Sequence, residues 1–205
     1  MYKLVIHPST ELRYIDDKIG FGVFATEFIP KGTIVWVLDP LDQILHPSVL
    51  EKVDPHRKAM IHKYAYRNEK GEYVLCWDLG RYVNHSFHAN CMGTAYNCEV
   101  AIRDIYPGEQ LTDDYGTLNV EEPFKCLKEK GTNREIVYPD DLLKYYKQWD
   151  QQVIEALAFF NQVKQPLLHL INLDDLKKLK EAATEKTLPD SIKTIYFNQS
   201  SLKCI

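Results

Sequence analysis

Arg81-Tyr82-Val83-Asn84-His85-Ser86-Phe87-His88-Ala89-Asn90-Cys91 is the stretch around which the chain is organised. It sets Asn, His, Ser, His, Asn and Cys within a few positions of one another. That density of side-chain donors and acceptors suits neither a helix interior nor a plain strand. It reads as an irregular, built segment, the kind that usually carries function. A second stretch lies downstream, Gly108-Glu109-Gln110-Leu111-Thr112-Asp113-Asp114-Tyr115-Gly116. It reads as a Pro-Gly turn, a short strand and an acidic pair ending in Tyr-Gly.

A third element lies upstream: Gly20-Phe21-Gly22-Val23-Phe24-Ala25-Thr26, then Ile29-Pro30-Lys31-Gly32. Alone, Gly-Phe-Gly reads as a turn between strands. It is not the dinucleotide fingerprint, because the third glycine and the following helix are missing. Taken in order, the three elements resemble the motifs of the SET-domain protein lysine methyltransferases, over roughly residues 10–136. The resemblance implies a mainly β, α+β fold, β-clip-like, of several small sheets. It also implies S-adenosylmethionine as cofactor and the ε-amine of lysine in a protein as methyl acceptor, a histone tail being one candidate. Gly20, Phe21, Gly22, Asn84 and His85 match its cofactor contacts, with Arg81, Tyr115 and Phe124 in the same set. Arg81 has a structural alternative, tying the motif to Asp78 or Asp114. Tyr115 matches the catalytic tyrosine, and Tyr66, Tyr73 and Tyr82 are the expected walls of the lysine channel.

The residue types suit that chemistry. Methyl transfer to lysine needs a neutral amine, yet free lysine titrates at about 10.4. The site must desolvate the amine and hold it in line with the methyl carbon. The expectation is a narrow apolar channel with oxygen acceptors and no strong base. Tyrosine supplies both wall and hydroxyl, and the chain has 13 of them.

Departures from the family pattern carry information. Phe87 stands where many relatives have Cys, and Ala89 where they have Pro. The tail Phe124-Lys125-Cys126-Leu127-Lys128, then Asn133-Arg134-Glu135-Ile136, echoes the segment that binds zinc in those relatives but keeps one cysteine. A structural zinc usually wants four ligands, so none is expected. The helices that follow are the expected substitute for a zinc-folded lid. Asp113 stands where relatives often have Phe or Tyr, which leaves the number of methyls added open.

Net charge is −4, which argues against a broad nucleic-acid surface. The excess carboxylates precede Pro139, where the motifs lie, and favour a basic peptide. The 5 cysteines are unevenly spaced, without Cys-x-x-Cys. With no signal-like start and no long apolar run, the sequence reads as intracellular, cytoplasmic or nuclear, with reduced thiols and no membrane partner.

Around the motifs, Tyr2 to Ile6 reads as a strand and Ser9 to Lys18 as polar and turn-rich. Gly22 to Phe28, Thr33 to Leu38 and Tyr73 to Trp77 read as strands. Residues 39–72 read as a variable insert, with short helices at Pro47 to Val53 and His56 to Tyr66 and with His46, His56 and His62 solvated. The domain reading is 1–136 for the motif-bearing unit and 137–205 for a helical extension. In the latter, Leu142, Leu143, Tyr146, Trp149, Val153, Leu157 and Phe160 recur close to a period of 3.6. Asn172 or Asp174 caps a second helix through Ala183, striped by Leu173, Leu176 and Leu179. Leu167 to Leu170 reads as buried, and the tail from Leu188 gives no clear signal.

Three other readings use the same residues. His85, His88, Cys91 and Cys98 with Asp113 and Asp114 would be the ligands of a metal centre, but their spacing fits no common finger. A SET fold without turnover would be a peptide- or cofactor-binding module. A non-histone substrate is the third, since specificity lies in the insert and the C-terminal region.

Overall fold

Gly, Pro and Asn interrupt the β-branched and aromatic runs of this chain every few positions, so its strands are short. The computed structural model describes residues 6–184 and 186–198. β1 (Thr10–Asp16) and β2 (Gly20–Ala25) form an antiparallel hairpin, with Thr10 opposite Ala25 and Asp16 opposite Gly20. This corrects the turn-rich reading of Ser9 to Lys18. β1 is polar because four of its seven side chains are exposed, and backbone pairing rather than an apolar face holds it. The turn is closed by the Asp16 carboxylate, which accepts the N–H groups of Lys18 and Ile19, each at 2.8 Å. Of the expected strand Tyr2 to Ile6, only Ile6 is described. It bridges to Trp36, and the rest lies outside the described residues.

β3 (Ile34–Val37) follows the Ile29–Gly32 turn. The insert supplies β4 (Gln43–Leu45), α1 (Pro55–Tyr64), β5 (Ala65–Arg67) and β6 (Tyr73–Leu75), the strands forming an antiparallel sheet in the order β4-β6-β5. Asp54 caps α1 by accepting the Arg57 N–H at 3.0 Å, with Pro55 in the first turn. Only Ile61 of this helix is buried. His46, His56 and His62 are exposed. Pro47–Val49 is a single 3₁₀ turn rather than a longer helix.

The motif segments form β7 (Asn84–His85), β8 (Cys91–Gly93), β9 (Cys98–Ala101) and β10 (Thr112–Asp113). β3, β9 and β8 make one antiparallel sheet. β7 and β10 pair in parallel, Asn84 opposite Thr112 and His85 opposite Asp113. Two motifs far apart in sequence thus lie side by side. Asn90 reinforces the pairing: its Nδ2 donates to the Gln110 carbonyl at 2.8 Å and its Oδ1 accepts the Thr112 N–H at 2.9 Å. A further hairpin, β11 (Phe124–Lys125) with β12 (Ile136–Val137), leads into α2 (Asp141–Leu157) and α3 (Leu173–Ala182). The result is an α+β fold of several small sheets. Among the described residues, no helix is long and apolar enough to cross a membrane.

α2 is packed into the β core. Leu142, Trp149, Val153, Ala156, Leu157 and Phe160 share one cluster with Ile34, Val37, Met92, Cys98 and Val100 of the β3-β9-β8 sheet. At about 1.5–3 kcal/mol per large buried side chain, this seam is a major part of the molecule's stability. Leu143, read as part of the apolar stripe, is 42% exposed, and Leu173 of α3 is 82% exposed. Each lies in the first turn of its helix. Leu167 is buried, Leu168 and Leu170 are half-buried, and His169 is exposed. The tail folds back: Ile192 and Phe197 are buried, and Asn119 joins Arg67 to it by donating to the Arg67 and Ile195 carbonyls and accepting the Phe197 N–H.

Candidate active site

The parallel pair of β7 and β10 divides two environments. On one side lie Gly20, Phe21, Gly22, Tyr82 and Asn84. The Asn84 amide Nδ2 donates to the Phe21 carbonyl at 2.9 Å, and the Phe21 ring meets those of Tyr14 and Tyr82. Gly20 has φ +85°. Gly22 is required by proximity: a Cβ there would lie 2.6 Å from Gln110 Nε2 and 3.0 Å from Asn84 Nδ2. On the other side is a cavity of about 750 Å³, lined in part by Trp36, Tyr66, Tyr73, Arg81, Tyr115 and Phe124.

Tyr115 stands at the junction. It begins the 3₁₀ turn Tyr115–Thr117, whose capping residue Asp114 accepts the Gly116 N–H at 3.0 Å. The Tyr115 N–H donates to His85 Nδ1 at 3.1 Å, and its hydroxyl donates to the Val83 carbonyl at 2.7 Å. That second bond spends the phenol's proton and leaves its oxygen free to accept. Burial, with Asp113 next, pushes the phenol's pKa up, so it stays protonated. His85 is surrounded by the rings of Phe87, Tyr115 and Phe124. Because its Nδ1 accepts, its Nε2 carries the proton, and that nitrogen is buried without a partner. Burial pushes the imidazole's pKa down and keeps it neutral. Gln110 Nε2 is a second buried donor without a partner. Two unsatisfied donors, that of Gln110 beside Gly22, fit a ligand rich in acceptors.

The expected site residues fall into place unevenly. Tyr66 and Tyr73 line the cavity, and the Tyr73 hydroxyl donates to Glu121 at 2.9 Å. Tyr82 is not on the cavity lining; its ring meets Phe21 and Tyr64. Arg81 lines the cavity, and its Nε donates to the backbone carbonyl of Asp78 at 3.2 Å rather than to a carboxylate. Asp114 is engaged by Arg134 instead. The floor is also less apolar than expected, since Glu99 and Asp113 face it beside the aromatic rings. Sequence reasoning missed Glu99, Gln110 and Arg134. The available signal for Glu99 was a carboxylate set between Cys98 and Val100 in a strand meant for the core.

The metal reading finds no support in geometry. His88 is exposed and bonded to the Lys130 carbonyl, while Cys91 and Cys98 are buried in strands. Among the described residues no group of His, Cys, Asp and Glu could hold a metal ion. Where relatives place a zinc cysteine, Phe87 meets the Arg134 guanidinium at 4.4 Å. Arg134 also lies over Tyr145 and Trp149, pairs with Asp114, and reaches Asp141 of α2 at 2.8 Å.

The family described as SET domain matches residues 20–116, so over that stretch the chain is similar to SET-domain proteins, in keeping with its small sheets and the pairing of its motifs. Among curated proteins it is 33% identical over 129 residues to an N-lysine methyltransferase KMT5A-A of Danio rerio, a match covering 54% of this chain. The matched region spans 36% of that protein's length.

Proposed function

We propose that this chain transfers a methyl group from S-adenosylmethionine to the ε-amine of a lysine in a protein substrate. The observation that carries the reading is Tyr115, whose ring lines the cavity and meets those of His85 and Phe124, its hydroxyl donating to the Val83 carbonyl. When bound, the cofactor supplies a methyl carbon made electrophilic by a positively charged sulfur. The Gly20–Gly22 backbone admits a ligand closely. His85 Nε2 and Gln110 Nε2 offer it hydrogen bonds they otherwise lack, and Phe124 offers a flat face. Trp36, Tyr66 and Tyr115 exclude water from the amine, and the Tyr115 oxygen accepts from it. At the mouth, Glu51, Glu121 and Glu122 stand near Lys58 and Lys63. The carboxylates favour a basic segment, such as a histone tail, as substrate.

Labelled cofactor incubated with a cell lysate, and separately with histones, tests this by mass spectrometry. Wild-type protein should label lysines, and Tyr115→Phe should lower the rate by about 10²-fold or more while binding cofactor normally. Cofactor binding without any labelling would identify a binding module instead.

A further inference from the structure

The methyltransferase reading requires an uncharged amine, yet two acids face the place where it would sit. Glu99, on β9 opposite Trp36, and Asp113, on β10, both line the cavity with Tyr66 and Tyr115. Asp113 is 2% exposed; its Oδ1 accepts the Asp114 N–H at 2.9 Å, and its Oδ2 has no partner. Among the described residues neither carboxylate makes an ion pair, while Asp114 next door is paired with Arg134. An unpaired buried acid is costly, so this arrangement points to a ligand that completes it. The cavity that the acids line is also walled by Trp36, Tyr66, Tyr115 and Phe124, a combination that suits an alkyl chain ending in a cation.

We infer that Glu99 and Asp113 form the receiving site for the substrate's ε-ammonium and take its proton inside the cavity. This rests on the methyltransferase reading. In the step, one ammonium N–H bond breaks, its electron pair stays on nitrogen, and the proton forms an O–H bond on a carboxylate oxygen. A charged pair becomes a neutral acid beside a neutral amine, which a site closed from water favours. The nitrogen lone pair is then available for methyl transfer.

The surroundings suit an acceptor working near neutrality. Burial, then Asp78, pushes Glu99 up to about 7. Burial, then Glu99 and Asp114, pushes Asp113 well above the ordinary carboxylate range. Tyr66, Cys76, Cys91 and Tyr115 enclose the pair and are themselves held neutral, first by burial. The charge of Asp42 adds to the upward push on Tyr66 and Cys76, and Arg81 shares the lining.

The test uses the full chain without cofactor, n-butylammonium as probe and 1-pentanol as its uncharged counterpart, with binding followed by NMR shifts. Butylammonium should bind more tightly as pH rises from about 6 to 8, where an ordinary carboxylate is already fully ionised, and pentanol should show no such trend. Glu99→Gln and Asp113→Asn should each weaken butylammonium by about tenfold or more and flatten the pH dependence. Wild-type binding that ignores both charge and pH overturns the proposal, even if the variants fail to fold. A second arm follows kcat/KM against pH with a peptide substrate. Glu99→Gln should move the rising limb to higher pH, and an unmoved limb in a folded variant also overturns it. Charge-dependent binding without any methylation would instead leave the pair standing and sink the methyltransferase reading.

Discussion

Glu99 occupies a strand position between two buried residues, and its protonation is coupled to folding. The folded chain holds its proton up to about 7, whereas the ordinary value is 4.5. A group with a raised folded pKa contributes stability that is complete below the unfolded value and is lost as pH rises through the folded one. Stability should therefore fall between about pH 4.5 and 7 on account of Glu99. His7 opposes this. Burial lowers its pKa to about 4, so its contribution is present above the unfolded value and lost as pH falls. The difference between wild type and Glu99→Gln isolates the Glu99 part. In urea unfolding, the variant should gain up to about 3 kcal/mol over wild type at pH 8 and little at pH 4.5. A constant difference across that range would show that Glu99 is not the buried acid described. A second residue-scale prediction concerns His85. His85→Ala removes an unsatisfied donor and an aromatic neighbour of Tyr115, and should weaken S-adenosylmethionine by about tenfold in calorimetry.

Among elements, the tie between β10 and α2 is the part the motifs did not announce. Arg134, from the loop before β12, bridges Asp114 and Asp141 and is stacked on by Phe87, Tyr145 and Trp149. Gly116 is fixed by the same crowding: a Cβ there would come within 3.0 Å of Asp141 Cβ and Trp149 Cη2, and 3.1 Å of Arg134 Nη2. The guanidinium fork serves two carboxylates at once, which an ammonium cannot match. Arg134→Ala leaves buried Asp114 without its ion pair and Asp141 with only Lys144 at 3.9 Å, and should cost about 3–5 kcal/mol in denaturant unfolding. Arg134→Lys should recover only part of this. If both variants melt like wild type, the tie is ornamental. The helix caps were legible, since Asn172 accepts the Asp175 N–H at 2.9 Å as its position before an apolar stripe suggests. Strand β1 was not, because its pairing uses backbone groups that every sequence possesses.

For the whole molecule, the sequence reading separated residues 1–136 from a helical extension, with the extension as a lid over the cofactor. The core seam between α2 and the β3-β9-β8 sheet adds a second role. We propose that removing everything after Tyr138 unfolds the chain rather than merely opening its site. Loss of Leu142, Trp149, Val153, Leu157 and Phe160 exposes the outer face of that sheet. The truncated chain should be insoluble or give a collapsed, non-cooperative melt in circular dichroism. A soluble, cooperatively folding fragment that still methylates would refute both the lid and the core role.

The sequence by itself determined the class of fold and named the residues expected on one side of the candidate site. Gly20, Gly22, Asn84, His85 and Tyr115 stand out in the sequence because their residue types and spacings are local features, set by backbone geometry and by the chemistry that the proposed methyl transfer would need. The tertiary structure alone decided the pairing of β7 with β10, the unsatisfied donors on His85 and Gln110, the acids at the cavity floor and the Arg134 tie. Each depends on which distant side chain arrives beside another, and therefore on burial and charge that no short stretch of sequence carries.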